Sequence, residues 1–331
     1  MRKIKVAQIG ISYHSHGITI IKAMRDQPEL FDVVGYALPE NEREKFPDRM
    51  SVFDGLPEMS VDEILNNPEI EAVAVETEEI YLTKYATLAA EHGKHIHMEK
   101  PGGTDPVEFE KLINIVKKNK TVFHTGYMYR YNPYITELIK RIKDGEIGDV
   151  ISVEAQMSCV HQKEMRDWLT NFPGGMMFFL GCHLIDLILQ IQGEPERVIP
   201  LCKSSGVGGA LGDDYTMAVF EYKNGVSFAK TSAVEPGGFM RRQLVVSGSK
   251  GTVEIRPIER VMDDVITTDY REVYGNDWFA DSEFKTTEPF HRYNNMMASF
   301  AQMVRGEKEN PWDYDYELML YKYVLKACGQ E

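Results

Sequence analysis

The sequence has few cysteines and no long apolar run. Its 331 residues include only four cysteines, none in a CxxC spacing, so neither a disulfide framework nor a cysteine zinc site is indicated. No segment is apolar over the length of a membrane span, and the first ten residues lack the apolar core of a signal peptide. We therefore expect a cytoplasmic protein with reduced thiols and no membrane partner.

Basic residues are also scarce relative to acidic ones. The chain carries 37 lysines and arginines against 51 aspartates and glutamates, a net charge of -14. This balance disfavours nucleic acid as a partner, because binding to a phosphate backbone depends on clustered positive charge. His14 and His16 invite a metal interpretation, but a metal site needs three or four donors and only two are visible. We therefore expect no bound metal.

The first third of the chain alternates short apolar runs with helical stretches, a rhythm that predicts βαβ units and a parallel sheet. The chain is too long for one core, which indicates two domains. Over residues 1–124 we expect a doubly wound domain built on this parallel sheet. Its predicted strands are residues 5–9, 33–37, 72–75, 95–98 and 121–125, and its predicted helices are residues 19–25, 61–65, 83–92 and 106–118.

The pattern changes after residue 124. Longer alternating segments, interrupted by one strongly apolar helix over residues 184–191, predict further strands. These strands are expected at residues 151–157, 215–222, 226–233, 242–246 and 252–255. The predicted fold class is therefore α/β, with the amino-terminal Rossmann sheet followed by a carboxyl-terminal α+β domain. That second domain, residues 125–331, is expected to contain a large, mainly antiparallel open sheet.

Glycine is sparse in the turn after the first strand, where a dinucleotide would bind. Gly10 is in place, but the glycine fingerprint is then replaced by Ser12 and Ser15. Serine is small, and its backbone amide can still face a pyrophosphate. At the end of the second strand, the carboxylate that would bind the adenosine ribose is replaced by Leu38 or displaced to Glu40. The sequence therefore does not distinguish NAD from NADP.

Glu99-Lys100-Pro101 places a lysine directly after the fourth predicted strand. Proline cannot continue the ladder of hydrogen bonds, so the strand must stop there. The carboxyl ends of the strands are where open α/β sheets bind ligands. Taken alone, the motif favours an ordinary solvated lysine at a strand end over a functional one.

Several motifs, in order along the chain, resemble the Gfo/Idh/MocA oxidoreductases, the family of glucose-fructose oxidoreductase and inositol dehydrogenase. Besides Glu99-Lys100-Pro101, these motifs are Gly126-Tyr127-Met128-Tyr129-Arg130-Tyr131-Asn132-Pro133, Gly145-Glu146-Ile147-Gly148, Gly181-Cys182-His183-Leu184-Ile185-Asp186 and Ser247-Gly248-Ser249-Lys250-Gly251-Thr252. The resemblance implies an enzyme that transfers hydride between NAD or NADP and a hydroxyl-bearing carbon of a sugar, cyclitol or related polyol. It also implies that the Rossmann domain of residues 1–124 binds NAD or NADP. The open sheet of residues 125–331 would bind substrate and form a homodimer or homotetramer.

The same resemblance assigns roles to individual residues. Lys100 is expected to polarise the reacting oxygen, and His183 is expected to accept the hydroxyl proton, because imidazole titrates near neutral pH. Asp186 either orients His183 or contacts substrate. Alternatively, it is an aspartate that the helix dipole favours in the first helical turn, with no functional role. The predicted cofactor-binding residues are Gly10, Ser12, Tyr13, His14, Leu38, Thr77, Glu78, Glu99 and Lys100. The predicted substrate-binding residues are Tyr127, Arg166, Trp168, His183 and Asp186.

Two positions depart from the family pattern. Many family dehydrogenases have a carboxylate four residues before the histidine, where this chain has Phe179. The segment Glu76-Thr77-Glu78-Glu79 stands where relatives usually have Ala-Thr-Pro-Asn, which adds carboxylates beside the cofactor. These departures leave two alternatives open. One is a redox-neutral enzyme with tightly held NAD, glycosidase-like or epimerase-like, and the other is a non-catalytic binding protein on the same fold.

Overall fold

The computed structural model describes residues 2–275, 278 and 280–330. The chain divides into two compact units. Unit 1 contains the residues up to Tyr127 together with Tyr293–Tyr321, and unit 2 contains Met128–Arg292 together with the residues from Lys322 onward. Within the described ranges, no helix combines the length and the apolar character that crossing a membrane requires.

Unit 1 is built on a five-stranded, fully parallel sheet with the order β2-β1-β3-β4-β5. The strands are β1 Ile4–Ile9, β2 Phe31–Ala37, β3 Ala72–Val75, β4 His95–Met98 and β5 Phe123–Thr125. The chain winds in opposite directions from β1, so the order reverses between β1 and β3. This reversal leaves a crevice at the carboxyl ends of these two strands, as in other doubly wound folds. The predicted Rossmann-type sheet is confirmed.

Five helices connect these strands, and local sequence explains where several of them begin. They are α1 Gly17–Arg25, α2 Glu42–Lys45, α3 Val61–Asn66, α4 Glu79–Glu91 and α5 Pro106–Asn119. The Ser60 and Glu63 side chains form a reciprocal capping box at the start of α3. The Asp105 carboxylate accepts hydrogen bonds from the first amides of α5, which begins with Pro106.

Unit 2 is built on an eight-stranded sheet with the order β15-β14-β11-β10-β6-β9-β8-β7. Within the described ranges β6 and β9 are the only parallel pair, so the sheet is mainly antiparallel, as predicted. The helices are α6 Pro133–Lys143, α7 Lys163–Trp168 and α8 Cys182–Gln192. The strands are β6 Val150–Ser158, β7 Arg197–Lys203, β8 Tyr215–Tyr222, β9 Gly225–Ser232, β10 Gln243–Gly248, β11 Gly251–Ile255, β12 Arg260–Met262, β13 Val265–Thr267, β14 Asp269–Tyr274 and β15 Asp281–Thr286, of which β12 and β13 form a separate hairpin.

The two faces of this large sheet differ in burial because side chains alternate along each strand. In β8, Thr216, Ala218 and Phe220 are fully buried. The alternate residues Tyr215 and Met217 are exposed or half-buried. Helix α8 lies against β6 and β9. Its residues from Cys182 to Leu189 are all buried, which explains why this helix reads as strongly apolar in the sequence.

The last part of the chain differs from the predicted division at residues 125–331. Helix α9, Asn294–Val304, and the first two turns of α10, Tyr314–Ala327, lie in unit 1. The Tyr321 ring stacks 4.1 Å from that of Phe109, and its hydroxyl donates to the backbone carbonyl of Gly103 at 2.6 Å. The returning segment therefore completes the core of unit 1, a long-range packing that the change of strand rhythm does not reveal.

Candidate functional site

Gly10 ends β1 at the crevice of the unit 1 sheet, in a conformation that a larger residue would not tolerate. Its φ is +95°, and a Cβ atom there would lie 2.5 Å from the amide nitrogen of Thr77. The turn after β1 therefore touches the backbone that follows β3. Gly17, the first residue of α1, is also crowded, since a Cβ atom would lie 3.1 Å from the Glu76 Cβ. These two glycines let the loop and helix lie close to the end of β3.

The loop after β1 is held by side chains that the sequence prediction did not identify. The Ile11 amide donates to the Glu42 carboxylate at 2.7 Å, and the Ser12 amide donates to the Glu76 carbonyl at 3.2 Å. The Arg49 guanidinium donates to the Ile11 carbonyl at 3.1 Å. It also stacks over the Tyr13 ring, 4.4 Å from the centroid. Glu42 and Arg49 belong to no recognisable motif, so no sequence signal identifies them.

Leu38 lies at the carboxyl end of β2, beside an open depression of about 530 Å³. The lining residues are Ala37, Leu38, Pro39, Glu58, Met59, Ser60 and Val61. Glu40, the alternative ribose ligand, is directed to α4, because it accepts hydrogen bonds from Lys84 at 2.6 Å and from the Tyr85 hydroxyl at 2.7 Å. The lining of the depression therefore combines the apolar Leu38 and Pro39 with polar groups of Glu58 and Ser60.

Lys100 is completely buried at the end of β4. Its Nζ atom lies 3.9 Å from Oε1 of Glu99, and its backbone amide donates to the same carboxylate at 2.8 Å. Burial alone would raise the pKa of Glu99, but the charges of His16 and Lys100 hold it well below its usual range. Lys100 is therefore not a solvated residue at a strand end, and Glu99 beside it is a stable anion.

Two further buried carboxyl groups lie within electrostatic reach of Lys100. Burial raises the pKa of Glu76 well above its usual value, with the neighbouring Glu99 and Glu79 charges acting in the same direction. Burial likewise raises the pKa of Glu79 to about 8. In both cases the charge of Lys100 opposes the shift. Glu76 and Glu79, which depart from the family pattern, therefore place neutral carboxyl groups near Lys100 at pH 7.

A pair of buried histidines lies beneath this cluster. The Nδ1 atoms of His97 and His124 are 2.7 Å apart, and Nε2 of His97 is 3.6 Å from Oε1 of Glu76. Burial lowers the pKa of His97 to about 4, so this imidazole is neutral at pH 7. The cluster thus contains several titratable groups, of which Glu76 and His97 are held neutral by burial.

In unit 2, His183 lies in the first turn of α8 and is buried. Its ring centroid is 5.5 Å from that of Tyr129, whose hydroxyl donates to Glu259 at 3.1 Å. Phe179 lies in a π-helical segment, Met177–Gly181, that leads directly into α8. Such segments often mark functional sites. The Trp168 ring meets the Phe179 ring edge to face at 5.5 Å.

Two predicted substrate ligands of unit 2 are engaged in buried ion pairs. Asp186 accepts from Arg130 through both carboxylate oxygens, at 2.8 and 3.0 Å, and Gln190 donates to it at 2.8 Å. Arg166 donates to Asp214 at 2.9 Å. These pairs give Asp186 and Arg166 structural partners, and they do not support a direct role in holding substrate.

The structure places the predicted residues in two separate groups. The group in unit 1 follows the ends of the strands: Gly10, Ser12, Tyr13 and His14 follow β1, Leu38 follows β2, Thr77 and Glu78 follow β3, Glu99 and Lys100 follow β4, and Tyr127 follows β5. The group in unit 2 consists of Arg166 and Trp168 in α7 and of His183 and Asp186 in α8. The first group thus gathers at one edge of the sheet, where a doubly wound fold binds its ligand.

The fold and the residues at this edge define a nucleotide-binding oxidoreductase domain. The family model for the oxidoreductase family with an NAD-binding Rossmann fold matches residues 4–127. The model for the GFO/IDH/MocA carboxyl-terminal domain matches residues 135–254. The chain belongs to the Gfo/Idh/MocA family of oxidoreductases.

Similar proteins include an uncharacterized oxidoreductase, ORF334, of Rhizobium meliloti, which is 26% identical over 81% of this chain and 79% of its own length. The scyllo-inositol 2-dehydrogenase (NADP(+)) IolW of Bacillus subtilis is 24% identical over 60% of this chain. That alignment spans only 55% of the Bacillus protein. The crystal structure of an aldose-aldose oxidoreductase from Caulobacter crescentus has the same fold, with a TM-score of 0.80 and 20% identity over 99% of this chain and 98% of that one.

The residues of unit 1 are compatible with a bound dinucleotide. A side chain at Gly10 would fill the space between the loop after β1 and the end of β3. The amino terminus of α1 follows that loop, in the position where a pyrophosphate binds in Rossmann folds. The depression beside Leu38 lies at the end of the second strand, where a Rossmann fold binds the adenosine end of its dinucleotide, and Leu38 and Pro39 give it an apolar part. The cofactor prediction, NAD or NADP, agrees with this arrangement and with the family.

Proposed function

We propose that this protein is an NAD(P)-dependent dehydrogenase that acts on a hydroxyl-bearing carbon of a sugar, cyclitol or related polyol. The observation that carries the proposal is Lys100, a completely buried lysine at the carboxyl edge of a Rossmann sheet. Burying an ammonium group is costly, so a lysine kept there is a candidate for chemistry. The similarity to an inositol dehydrogenase supports the polyol class of substrate.

Bound NAD(P) would supply the hydride acceptor. In unit 1, the residues that would hold it are Gly10, Ser12, Tyr13 and His14 after β1, Leu38 after β2, Thr77 and Glu78 after β3, and Glu99 and Lys100 after β4.

Removing hydride from a carbinol carbon requires the hydroxyl proton to leave as well. Lys100 stabilises the negative charge that develops on that oxygen. His183 accepts the proton, because its imidazole can work in either direction near neutral pH.

The substrate contacts proposed in addition to His183 are Tyr127 and Trp168. Both combine a flat apolar ring with a polar tip, as sugar pockets require. Tyr127 follows β5 in unit 1 and is 2% exposed. We assign Arg166 and Asp186 to structural ion pairs rather than to substrate, because each carboxylate–guanidinium pair is buried and closely bonded.

Phe179 favours a second candidate function. A phenyl ring cannot stabilise the charged form of His183 as a carboxylate would, which lowers the basicity available for net oxidation. A redox-neutral reaction with tightly held NAD, glycosidase-like or epimerase-like, then becomes the alternative. A non-catalytic binding protein on the same fold would be the third possibility.

We also propose that the protein forms a homodimer or homotetramer through the open face of the unit 2 sheet. This face presents Tyr215, Met217 and Val219 of β8, which alternate with fully buried residues. An apolar sheet face of this kind usually meets a partner. In light scattering, a Met217→Lys, Val219→Lys double variant should have a lower molar mass than the wild type. Val107→Lys, at an exposed position of α5, serves as the control. An unchanged molar mass in the double variant would contradict this interface.

One set of measurements separates the three functions. NADH or NADPH formation is followed across a panel of sugars and cyclitols, after calorimetry with both dinucleotides. Reduced cofactor that appears with a polyol supports the dehydrogenase. Product without net reduced cofactor indicates the redox-neutral enzyme. Absence of binding to either dinucleotide would leave only the binding protein.

A further inference from the structure

Arg242 is a buried arginine in unit 2 that takes no part in the proposed hydride transfer. It is 3% exposed and donates to the Glu259 carboxylate. That carboxylate is shared. Tyr129 donates to the same oxygen, Oε2, and Arg292 lies 2.6 Å from the other oxygen, Oε1. The Nε atom of Arg242 has no hydrogen-bond partner among the residues that the structure describes. A buried N–H group without an acceptor is costly, which indicates that something else completes it.

Local sequence fixes the position of Arg242. Gly237, with a φ of +68°, leads into a 3₁₀ turn, Gly238–Arg241. A Cβ atom at Gly238 would lie 2.7 Å from the carbonyl carbon of Ser158, so this turn lies directly on the end of β6. The guanidinium of Arg242 then stacks over the Phe239 ring, 3.6 Å from the centroid. The turn therefore holds a cation rigidly at the end of β6.

His161 follows β6 and lies near the same guanidinium. Its Nε2 atom is buried and also has no hydrogen-bond partner within the described ranges. Burial lowers the pKa of His161, and the positive charge of Arg242 adds to that effect. The imidazole is therefore neutral at pH 7 and can donate one hydrogen bond. Its ring lies 6.4 Å from that of Phe179, which in turn contacts Trp168.

Tyr129 connects these groups to the proposed proton acceptor. Its hydroxyl donates to Glu259, and its ring lies 5.5 Å from that of His183. Glu259 contacts Arg242. Contacts within unit 2 therefore run from His183 through Tyr129 and Glu259 to Arg242. Nε of Arg242, like Nε2 of the nearby His161, has no hydrogen-bond partner in the part of the chain that the structure describes.

We propose that Arg242 and His161 bind a carboxylate of the substrate, so that the substrate is a sugar acid rather than a neutral sugar or cyclitol. This inference rests on the proposed function and narrows its substrate class. Arginine is the side chain best suited to a carboxylate, because its planar donors match the two oxygens. If a neutral hydroxyl were bound instead, the charge of Arg242 would be balanced by the Glu259 carboxylate, which Arg242 shares with Arg292. The rings of Phe179 and Trp168 would then cover an apolar face of the sugar.

The test compares ligands that differ only in the acid group. Calorimetry with the full chain, with and without NADH or NADPH, measures the binding of glucuronate against glucose and of gluconate against glucitol. We expect each acid to bind at least about tenfold more tightly than its neutral counterpart. Arg242→Gln should abolish this preference, while Arg271→Gln, at a half-exposed arginine of β14, should keep it. Equal affinities, tighter binding of the neutral compounds or tighter binding of glucose 6-phosphate would overturn the proposal.

A second variant covers the case in which Arg242→Gln does not fold. His161→Phe fills the same space without a donor, and we expect it to reduce the affinity for the acids at least about threefold while leaving the neutral compounds unaffected. Acid affinities unchanged in His161→Phe would exclude this histidine from the site. Turnover separates this proposal from the proposed function. If acids bind in an Arg242-dependent way but no hydride is transferred, the dehydrogenase function is contradicted and the sugar-acid site is not. If neutral sugars and sugar acids are turned over equally well, the sugar-acid preference is contradicted and the dehydrogenase function is not.

Discussion

The imidazole of His16 and the carboxylate of Glu99 are joined by a short hydrogen bond in unit 1, with Nδ1 and Oε2 2.6 Å apart. The His16 amide donates to the same oxygen at 3.1 Å, and the Lys100 amide donates to the other oxygen. One buried carboxylate therefore ties the loop after β1 to the strand end that carries Lys100. The two residues are 83 positions apart in sequence.

Glu99 should make the stability of the protein sensitive to acid. Its pKa in the folded state is lowered by His16 and Lys100, against the effect of burial. Its stabilising contribution is therefore complete above the ordinary glutamate pKa and is lost as the pH falls below it. We expect Glu99→Gln to lower the free energy of unfolding by about 3 kcal/mol at pH 7. Urea unfolding between pH 7 and pH 3 should show this difference shrinking, and a constant difference would contradict the ionised carboxylate.

Glu79 should have the opposite effect. Burial raises its pKa to about 8, so the folded protein keeps a proton that the unfolded chain loses near pH 4.5. Stability should therefore fall as the pH rises from about 4.5 to 8, by at most about 4 kcal/mol from this residue. Glu79→Gln, which stays neutral, should be more stable than the wild type at pH 8 and equal to it near pH 4.5. Glu110→Gln, at an exposed position, is the control and should leave the pH profile unchanged.

The secondary structure of unit 1 could be predicted well because βαβ units carry a clear periodicity. The strand at Ala72–Val75 is an unbroken apolar run with the predicted bounds. Helix α4 begins at Glu79, four residues before the predicted start at Thr83, and its first turn already buries Leu82. Contacts such as Glu42 with the Ile11 amide join residues far apart in sequence, and no local pattern encodes them.

Lys100→Met tests the proposed role of the lysine. Methionine keeps the length of the side chain but removes the charge that would stabilise the developing oxyanion. We expect kcat to fall at least about 10²-fold, with dinucleotide affinity little changed. Lys111→Met, at an exposed lysine of α5, should keep full activity. Turnover near the wild-type level in Lys100→Met, in a variant shown to be folded by circular dichroism, would remove this lysine from the mechanism.

Phe179→Asp tests whether His183 is the base. Placing a carboxylate four residues before His183 should favour its charged form. The acid limb of the kcat/KM profile for oxidation should then move to higher pH, because only the neutral imidazole accepts a proton. Phe179→Asn has a similar size without the charge and should leave the limb in place. An identical profile in both variants would indicate that another residue is the base.

The functional residues of unit 2 were less predictable than those of unit 1. The motif that contains His183 and Asp186 identifies both positions, but it does not show that Asp186 pairs with Arg130 across 56 residues of chain. Arg242 lies outside every recognised motif. It is distinguished by its burial and by an Nε atom that has no acceptor among the described residues. Side-chain partners in this sheet depend on register and turn geometry, which composition and periodicity do not determine.

Asp186→Asn distinguishes the structural role of this aspartate from a role in binding substrate. Removing the charge leaves the buried Arg130 guanidinium without its ion pair, so the free energy of unfolding should fall by about 3 to 5 kcal/mol. Arg130→Lys should also destabilise the protein, because lysine cannot reproduce the two-pronged contact. In folded Asp186→Asn, measured well below its unfolding temperature, KM for the substrate should stay within about threefold of the wild-type value. A large rise in KM with unchanged stability would instead return Asp186 to the substrate site.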